Sequence, residues 1–166
     1  MEQPKCWRLA KTSIADAALG DANINSGNDS ALFRASKHGH LEVVKCLINN
    51  GSDIHAYNEH ALRWASHNGH LAVVEYLLSH GANIHINEDE TLINACYNGH
   101  LAVVELLVNN GADVHNDSAL RQASINGHKD IVRYLENKKT RSKEIEDLQK
   151  SILEITNKLN ELMKTQ

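Results

Sequence analysis

Short apolar runs of one shape recur along the chain. They are Leu41-Glu42-Val43-Val44-Lys45-Cys46-Leu47-Ile48, Leu71-Ala72-Val73-Val74-Glu75-Tyr76-Leu77-Leu78 and Leu101-Ala102-Val103-Val104-Glu105-Leu106-Leu107-Val108, followed by the looser Lys129-Asp130-Ile131-Val132-Arg133-Tyr134-Leu135. Each comes after a Gly-His pair, at Gly39-His40, Gly69-His70, Gly99-His100 and Gly127-His128, and the pairs recur at a near-constant interval. In the unit 58–87, Leu62, Ala65 and Ser66 fall at i, i+3 and i+4, a narrow stripe of small side chains that lets another helix approach closely. Leu71, Val74, Leu77 and Leu78 then give a broader stripe able to face a core. Both patterns stop at a glycine, Gly69 and Gly81, where a positive φ closes a helix. The spacing therefore predicts a helical hairpin, repeated. Helices this short are marginal alone, since roughly 12 to 15 residues are needed even for good helix formers. Stacking must hold them, and a fixed period of this length means a solenoid that offers a surface rather than an enclosed cavity.

The dipeptides Asn50-Gly51, Asn68-Gly69, Asn98-Gly99, Asn110-Gly111 and Asn126-Gly127 follow helical periodicity, so they read as C-caps rather than β-turns. Asp29-Ser30, Asp89-Glu90 and Asp117-Ser118 stand where helix N-caps are expected, each offering an acceptor to free backbone N–H groups. Residues 1–27 hold Trp7, Leu9, Ile14 and Leu19 before Asp21-Ala22-Asn23-Ile24-Asn25, which lines up two periods ahead of Gly81-Ala82-Asn83-Ile84-His85. This is the pattern of a worn capping unit, with one face toward water.

At the other end Ile145, Leu148, Ile152, Ile155, Leu159 and Leu162 alternate by three and four, a heptad seam. Three occupants are open for it: a second copy, the solenoid itself, or a partner's helix. A 3.5-residue period suits a narrow seam between two helices better than a broad globular face, which favours self-association as a homodimer.

Charge changes the picture only modestly. Residues 1–137 carry 10 Lys/Arg against 16 Asp/Glu and residues 138–166 carry 7 against 5, so the body is −6 and the tail +2. A body of that sign repels a phosphate backbone, which argues against nucleic acid. Lys138, Lys139, Arg141 and Lys143 form the one basic cluster, expected as a solvated linker. No basic-then-apolar leader and no apolar stretch of membrane-spanning length is present, so an intracellular, cytoplasmic protein without membrane partners is expected, its sequons at Asn28, Asn50 and Asn116 unmodified. Cys6, Cys46 and Cys96, an odd and unspaced set, read as small thiols and not as disulfides or ligands.

Eleven histidines invite a metal. Equivalent residues on stacked helices lie roughly 8 to 10 Å apart, too far to share one ion bound at about 2.0 to 2.1 Å. The ladders His40/His70/His100/His128 and His55/His85/His115 therefore carry no metal, and the imidazole after each glycine is expected to bond backbone groups at the turn. No nucleophile elbow, P-loop or dinucleotide fingerprint is present, so neither catalysis nor a cofactor is expected.

The openings Ser30-Ala31-Leu32-Phe33-Arg34-Ala35-Ser36, His60-Ala61-Leu62-Arg63-Trp64-Ala65-Ser66, Glu90-Thr91-Leu92-Ile93-Asn94-Ala95-Cys96 and Ser118-Ala119-Leu120-Arg121-Gln122-Ala123-Ser124, each followed by Gly-His, resemble the ankyrin repeat over about residues 28–137. The shortened period is similar in style to ankyrin proteins of giant DNA viruses, which would place the protein in a host cell's cytoplasm. The resemblance implies an all-α helical-hairpin solenoid whose β-hairpin fingers are stubby or absent. Its units are a capping unit at 1–27, repeats at 28–57, 58–87 and 88–116, a truncated repeat at 117–137, and a basic linker with the heptad helix at 138–166. It also implies a protein partner on the concave face of the first helices. Removing the residues that repeat leaves Arg34, Lys37, His38, Trp64, His67, Asn68, Asn94, Tyr97, Asn98, Gln122 and Ile125 on those helices, with Trp64 and Tyr97 as candidate hot spots. Trp64 has a plainer reading as cover for a neighbouring finger. The competing function is a spacer or oligomerisation protein acting through the heptad helix alone.

Overall fold

The computed structural model describes residues 28–164, with side chains from Ser30 onward. The worn unit at 1–27 lies outside the described residues. Among the described residues eight helices succeed one another: α1 (Asn28–Lys37), α2 (Leu41–Asn49), α3 (Ala56–His67), α4 (Leu71–Ser79), α5 (Glu90–Tyr97), α6 (Leu101–Asn109), α7 (Asp117–Ile125) and α8 (Lys129–Lys164). There is no strand among the described residues. The fold is all-α, as the spacing predicted. The odd-numbered helices pack on one another in one layer, and α2, α4 and α6 pack in sequence in the other, closed by α8.

The small-residue stripes permit that layering. Leu32, Leu62 and Leu92 are fully buried, with Ala35, Ala65, Ala95 and Ala123 beside them. The second helices contribute Val43 and Val44, Val73 and Val74, Val103 and Val104, then Ile131 and Leu135 of α8. Each equivalent position meets its counterpart one repeat on, so a single apolar core runs the length of the array.

The asparagine before each glycine works as expected. Asn50, Asn68, Asn98, Asn110 and Asn126 donate their side-chain amides to the carbonyls of Cys46, Trp64, Asn94, Leu106 and Gln122, one helical turn back. The histidine after the glycine does more than brace its own turn. His70 Nε2 lies 2.9 Å from the Lys37 carbonyl, His100 Nε2 3.0 Å from that of His67, and His128 Nε2 3.1 Å from that of Tyr97. Each ring therefore ties its repeat to the last turn of the preceding first helix.

Several elements depart from expectation. Asp89 is not a conventional N-cap: it has left-handed φ and its side chain makes no cap bond to α5. Buried instead, its Oδ1 meets His85 Nδ1 at 2.9 Å and its Oδ2 accepts from the Asp113 backbone N–H at 2.7 Å. Glu59 repeats the arrangement, with His55 Nδ1 on its Oε1, which also accepts from the Asn83 N–H. The N-cap of α7 is Asn116, whose side chain accepts from Ala119 N–H, while the neighbouring Asp117 points outward to Lys139.

Two short left-handed turns occupy the places where fingers would stand. Tyr57, Asn58 and Glu59 have φ of 52°, 61° and 55°, and Asn87, Glu88 and Asp89 have 48°, 58° and 62°. Non-glycine residues resist this region by about 1 to 2 kcal/mol each. The buried carboxylate at the end of each turn, bonded within its loop and to the next, offsets that strain.

Residues 138–143, expected as a linker, lie inside α8, which runs unbroken for 36 residues. The segment holds Lys, Thr, Arg and Ser with no glycine or proline, so nothing interrupts the ladder. Cys96 is buried and free, and burial pushes its thiol up to about 12. Cys46 is half-buried on α2, with the Asn50 amide 3.8 Å from its sulfur.

The hydrogen bond that the His55 ring donates to the Glu59 carboxylate, and then the negative charge of that carboxylate, raise the pKa of His55. A raised histidine pKa adds stability that is fully present below about 6.5 and is lost as pH rises through the folded-state value. Glu59→Gln is expected to return His55 toward its ordinary titration, seen as a downward shift of its ring-proton midpoint by NMR. An unchanged midpoint would show that the carboxylate does not set it.

Candidate partner-binding face

The exposed side of the first helices is dominated by one aromatic patch. Phe33 of α1 stacks on His60 of α3 at 4.3 Å between ring centres, with the planes 12° apart. Trp64 lies one turn on, edge-on to Phe33 at 6.0 Å and to His67 at 5.1 Å. Residues 60, 64 and 67 share a face because steps of four and three each make about one helical turn. Lys37 lays its ammonium over the Trp64 ring, 4.7 Å from its centre, and 6.0 Å from that of Phe33. Tyr57, carried outward by the left-handed turn, stands edge-on to His60 at 6.4 Å. Ser30, Phe33, Tyr57 and His60 line a small open hollow at the edge of this patch.

Trp64 is half-buried, and the rings that meet it belong to helix residues of its own and the preceding repeat. Tyr97 is 51% exposed, and no aromatic ring pairs with it among the described residues. The two candidate hot spots are therefore separate features: a packed cluster and a free-standing ring. Ile125 is 72% exposed on the last turn of α7, further along the same layer.

Other candidates have structural duties. Asn68 and Asn98 cap their own helices, and Asn98 also donates to His67 Nδ1 at 3.0 Å, which orients that ring against Trp64. Arg34, Lys37, Asn94 and Gln122 are half-buried on the layer and His38 is exposed. Burial, then the charges of His40 and Lys37, lower the pKa of His38. Burial, then the Arg63 guanidinium, does the same to His60, so both rings favour the neutral form.

Charge on this face is partly cancelled from within. Arg63 reaches across to Glu90 of the next repeat, and Asn87 donates to the same carboxylate. Burial opposes ionisation of Glu90, but the Asn87 amide and the Arg63 guanidinium outweigh it and hold the carboxyl below its usual range.

Phe33, Tyr57, His60 and Arg63 were missed by sequence reasoning. Position 33 and its equivalents hold Phe33, Arg63, Ile93 and Arg121, which vary as much as the neighbouring positions that were kept, so they were passed over rather than subtracted. Phe33 is the chain's single phenylalanine, and His60, Trp64 and His67 keep helical spacing; together these were the available signal.

A stack of helical hairpins joined by glycine-histidine turns, with its variable side chains on one layer, defines a repeat scaffold. The family model described as ankyrin repeats, in three copies, matches residues 6–88 and 85–147, and the chain belongs to the ankyrin repeat family. Proteins of this family are generally protein–protein interaction modules without enzymatic activity. No curated protein matches the chain. No described helix is long and apolar enough to cross a membrane, and no group of three or more His, Cys, Asp or Glu among the described residues is placed to hold a metal ion.

Proposed function

We propose that the protein binds another protein on its first-helix face, with the Phe33, His60 and Trp64 patch as the anchor. The observation that carries this is the exposed hollow at Phe33 and His60, beside a tryptophan crossed by a lysine, on a body whose charge is otherwise negative. Aromatic anchors supply large contact area with few rotamers to freeze. Lys37 and Arg34 border them, so the fitting ligand presents an apolar side chain next to a carboxylate. Tyr97 and Ile125 extend the footprint along the layer.

Affinity capture with wild type and with Trp64→Ala/Tyr97→Ala, read by mass spectrometry, tests this. The double variant is expected to lose a protein that wild type retains, while its melting temperature falls by no more than a few degrees. A partner held equally by both forms removes this face from consideration.

A second reading, oligomerisation through the heptad helix as the sole activity, is favoured by the exposure of Ile145, Leu148, Ile152, Ile155, Leu159 and Leu162, which runs from 54% to 66%. It predicts no captured protein with either form.

A further inference from the structure

The first-helix layer differs from the rest of the array in charge. Residues 30–137 hold seven Lys/Arg against twelve Asp/Glu. Four of the seven, Arg34, Lys37, Arg63 and Arg121, stand on α1, α3 and α7 opposite the buried stripes, each half-buried or exposed. Among the described residues the acids on that side are Glu90, paired with Arg63, and Asp117, paired with Lys139 of α8. On the second helices Glu75 and Glu105 are exposed, and Lys45 is paired with Glu42. The loops add exposed acids at Asp53, Glu88 and Asp113. An acidic chain is therefore repelled by most of the array and drawn to one layer of it.

The hollow on that layer is lined by rings. Its volume is about 200 Å³, and an apolar cavity of about 150 Å³ takes up a benzene molecule, so it admits one side chain of ring size. Phe33 and His60 present their stacked rings there, and Tyr57 stands edge-on to His60. Rings meet such walls offset or edge-to-face, with an attraction beyond the area they bury. A cationic guest is disfavoured, because the Lys37 ammonium already lies 6.0 Å from the Phe33 ring centre and Arg63 follows His60 by one turn. Burial, then the Arg63 charge, lower the pKa of His60, so it offers a ring and not a charge.

Lys37 stands one turn beyond Phe33, about 6 Å along α1 at 1.5 Å per residue. The Trp64 ring, 4.7 Å from the Lys37 ammonium, holds that charge over the patch before any ligand arrives. In an extended chain, residues two apart point the same way and lie about 6.6 Å from each other. We infer that the partner reaches this face through an extended acidic segment, its aromatic side chain filling the hollow and a carboxylate two positions away meeting Lys37. This rests on the first-helix face being the partner site.

Selection of random decapeptides displayed on phage against the full-length chain tests it. Enriched sequences are expected to carry Phe, Tyr or Trp with Asp or Glu two positions away, and to be poor in Lys and Arg. For a synthetic peptide of the enriched sequence, Lys37→Glu is expected to weaken binding about tenfold at low salt, and Lys in place of the peptide's acid to restore it. Tyr57→Asn takes one ring from the hollow and suits a φ of 52°. It is expected to weaken binding about tenfold as well, with an unchanged melting temperature, and to narrow the preference for a ring over Leu. Enrichment of basic or purely aliphatic peptides that Trp64→Ala/Tyr97→Ala fails to bind would overturn the inference and leave the first-helix face standing. Peptides held equally by that double variant, through the basic run at 138–143 or elsewhere, would remove both. No enrichment over an unrelated control protein would also overturn the inference.

Discussion

Gly69→Val should lose about 2 to 5 kcal/mol of stability in a urea titration, a large effect for one turn residue. Gly69 has φ of +74°, and a side chain built there would put its Cβ 2.6 Å from His100 Nδ1. A β-branched residue in the left-handed region is strained by about 1 to 3 kcal/mol. The displaced imidazole also gives up its bond to the His67 carbonyl, a further loss of about 0.5 to 1.5 kcal/mol, with ring packing lost on top. Gly81→Val separates these causes. Gly81 has φ of +94° but nothing within 4 Å of its notional Cβ, so only the backbone penalty remains, about 1 to 3 kcal/mol. Equal losses at the two sites would mean that the inter-repeat histidine contact contributes nothing.

Asp89→Ala should lose about 2 to 4 kcal/mol, although the residue looks from the sequence like a loop acid. It is 4% exposed and accepts from the Asp113 N–H of the following loop. Removing the acceptor leaves that donor unsatisfied, at about 1 to 3 kcal/mol. Alanine also tolerates φ of 62° less well than aspartate does. Asp89→Asn keeps an oxygen for Asp113 and suits the left-handed turn, so it should recover most of the loss. Comparable instability of the two variants, measured by denaturant midpoint, would point to the charge rather than the hydrogen bond.

These two sites show how far the chain could be read from its sequence. Gly69 and the helices around it were legible because glycine, apolar spacing and a fixed period each carry a local physical meaning. The grip of His100 on the preceding repeat was half legible: a backbone role at the turn was expected, but which repeat supplied the carbonyl depends on stacking. Asp89 was misread because an acid ahead of a helix ordinarily caps it. Here a left-handed turn, with no glycine to announce it, rotates the carboxylate inward toward the loop of the next repeat. The patch at Phe33 and His60 was hidden for a similar reason, since its two rings belong to different repeats and meet only when α1 packs on α3. The heptad seam was plain from spacing alone. The helical continuity of 138–143 was not, because a run of polar and basic residues satisfies a solvated linker and an exposed helix equally well.

Gly127 has the same φ of +77° as Gly99 but nothing within 4 Å of where its Cβ would be. At Gly39, Gly69 and Gly99 that space is filled by the imidazole of the next repeat. The array thus ends on an unused socket whose matching plug, a Gly-His turn one period on, the chain already carries in several copies. Each of these junctions reuses the same glycine-histidine contact, so the length of the first-helix layer is adjustable in steps of whole units, with α8 always last.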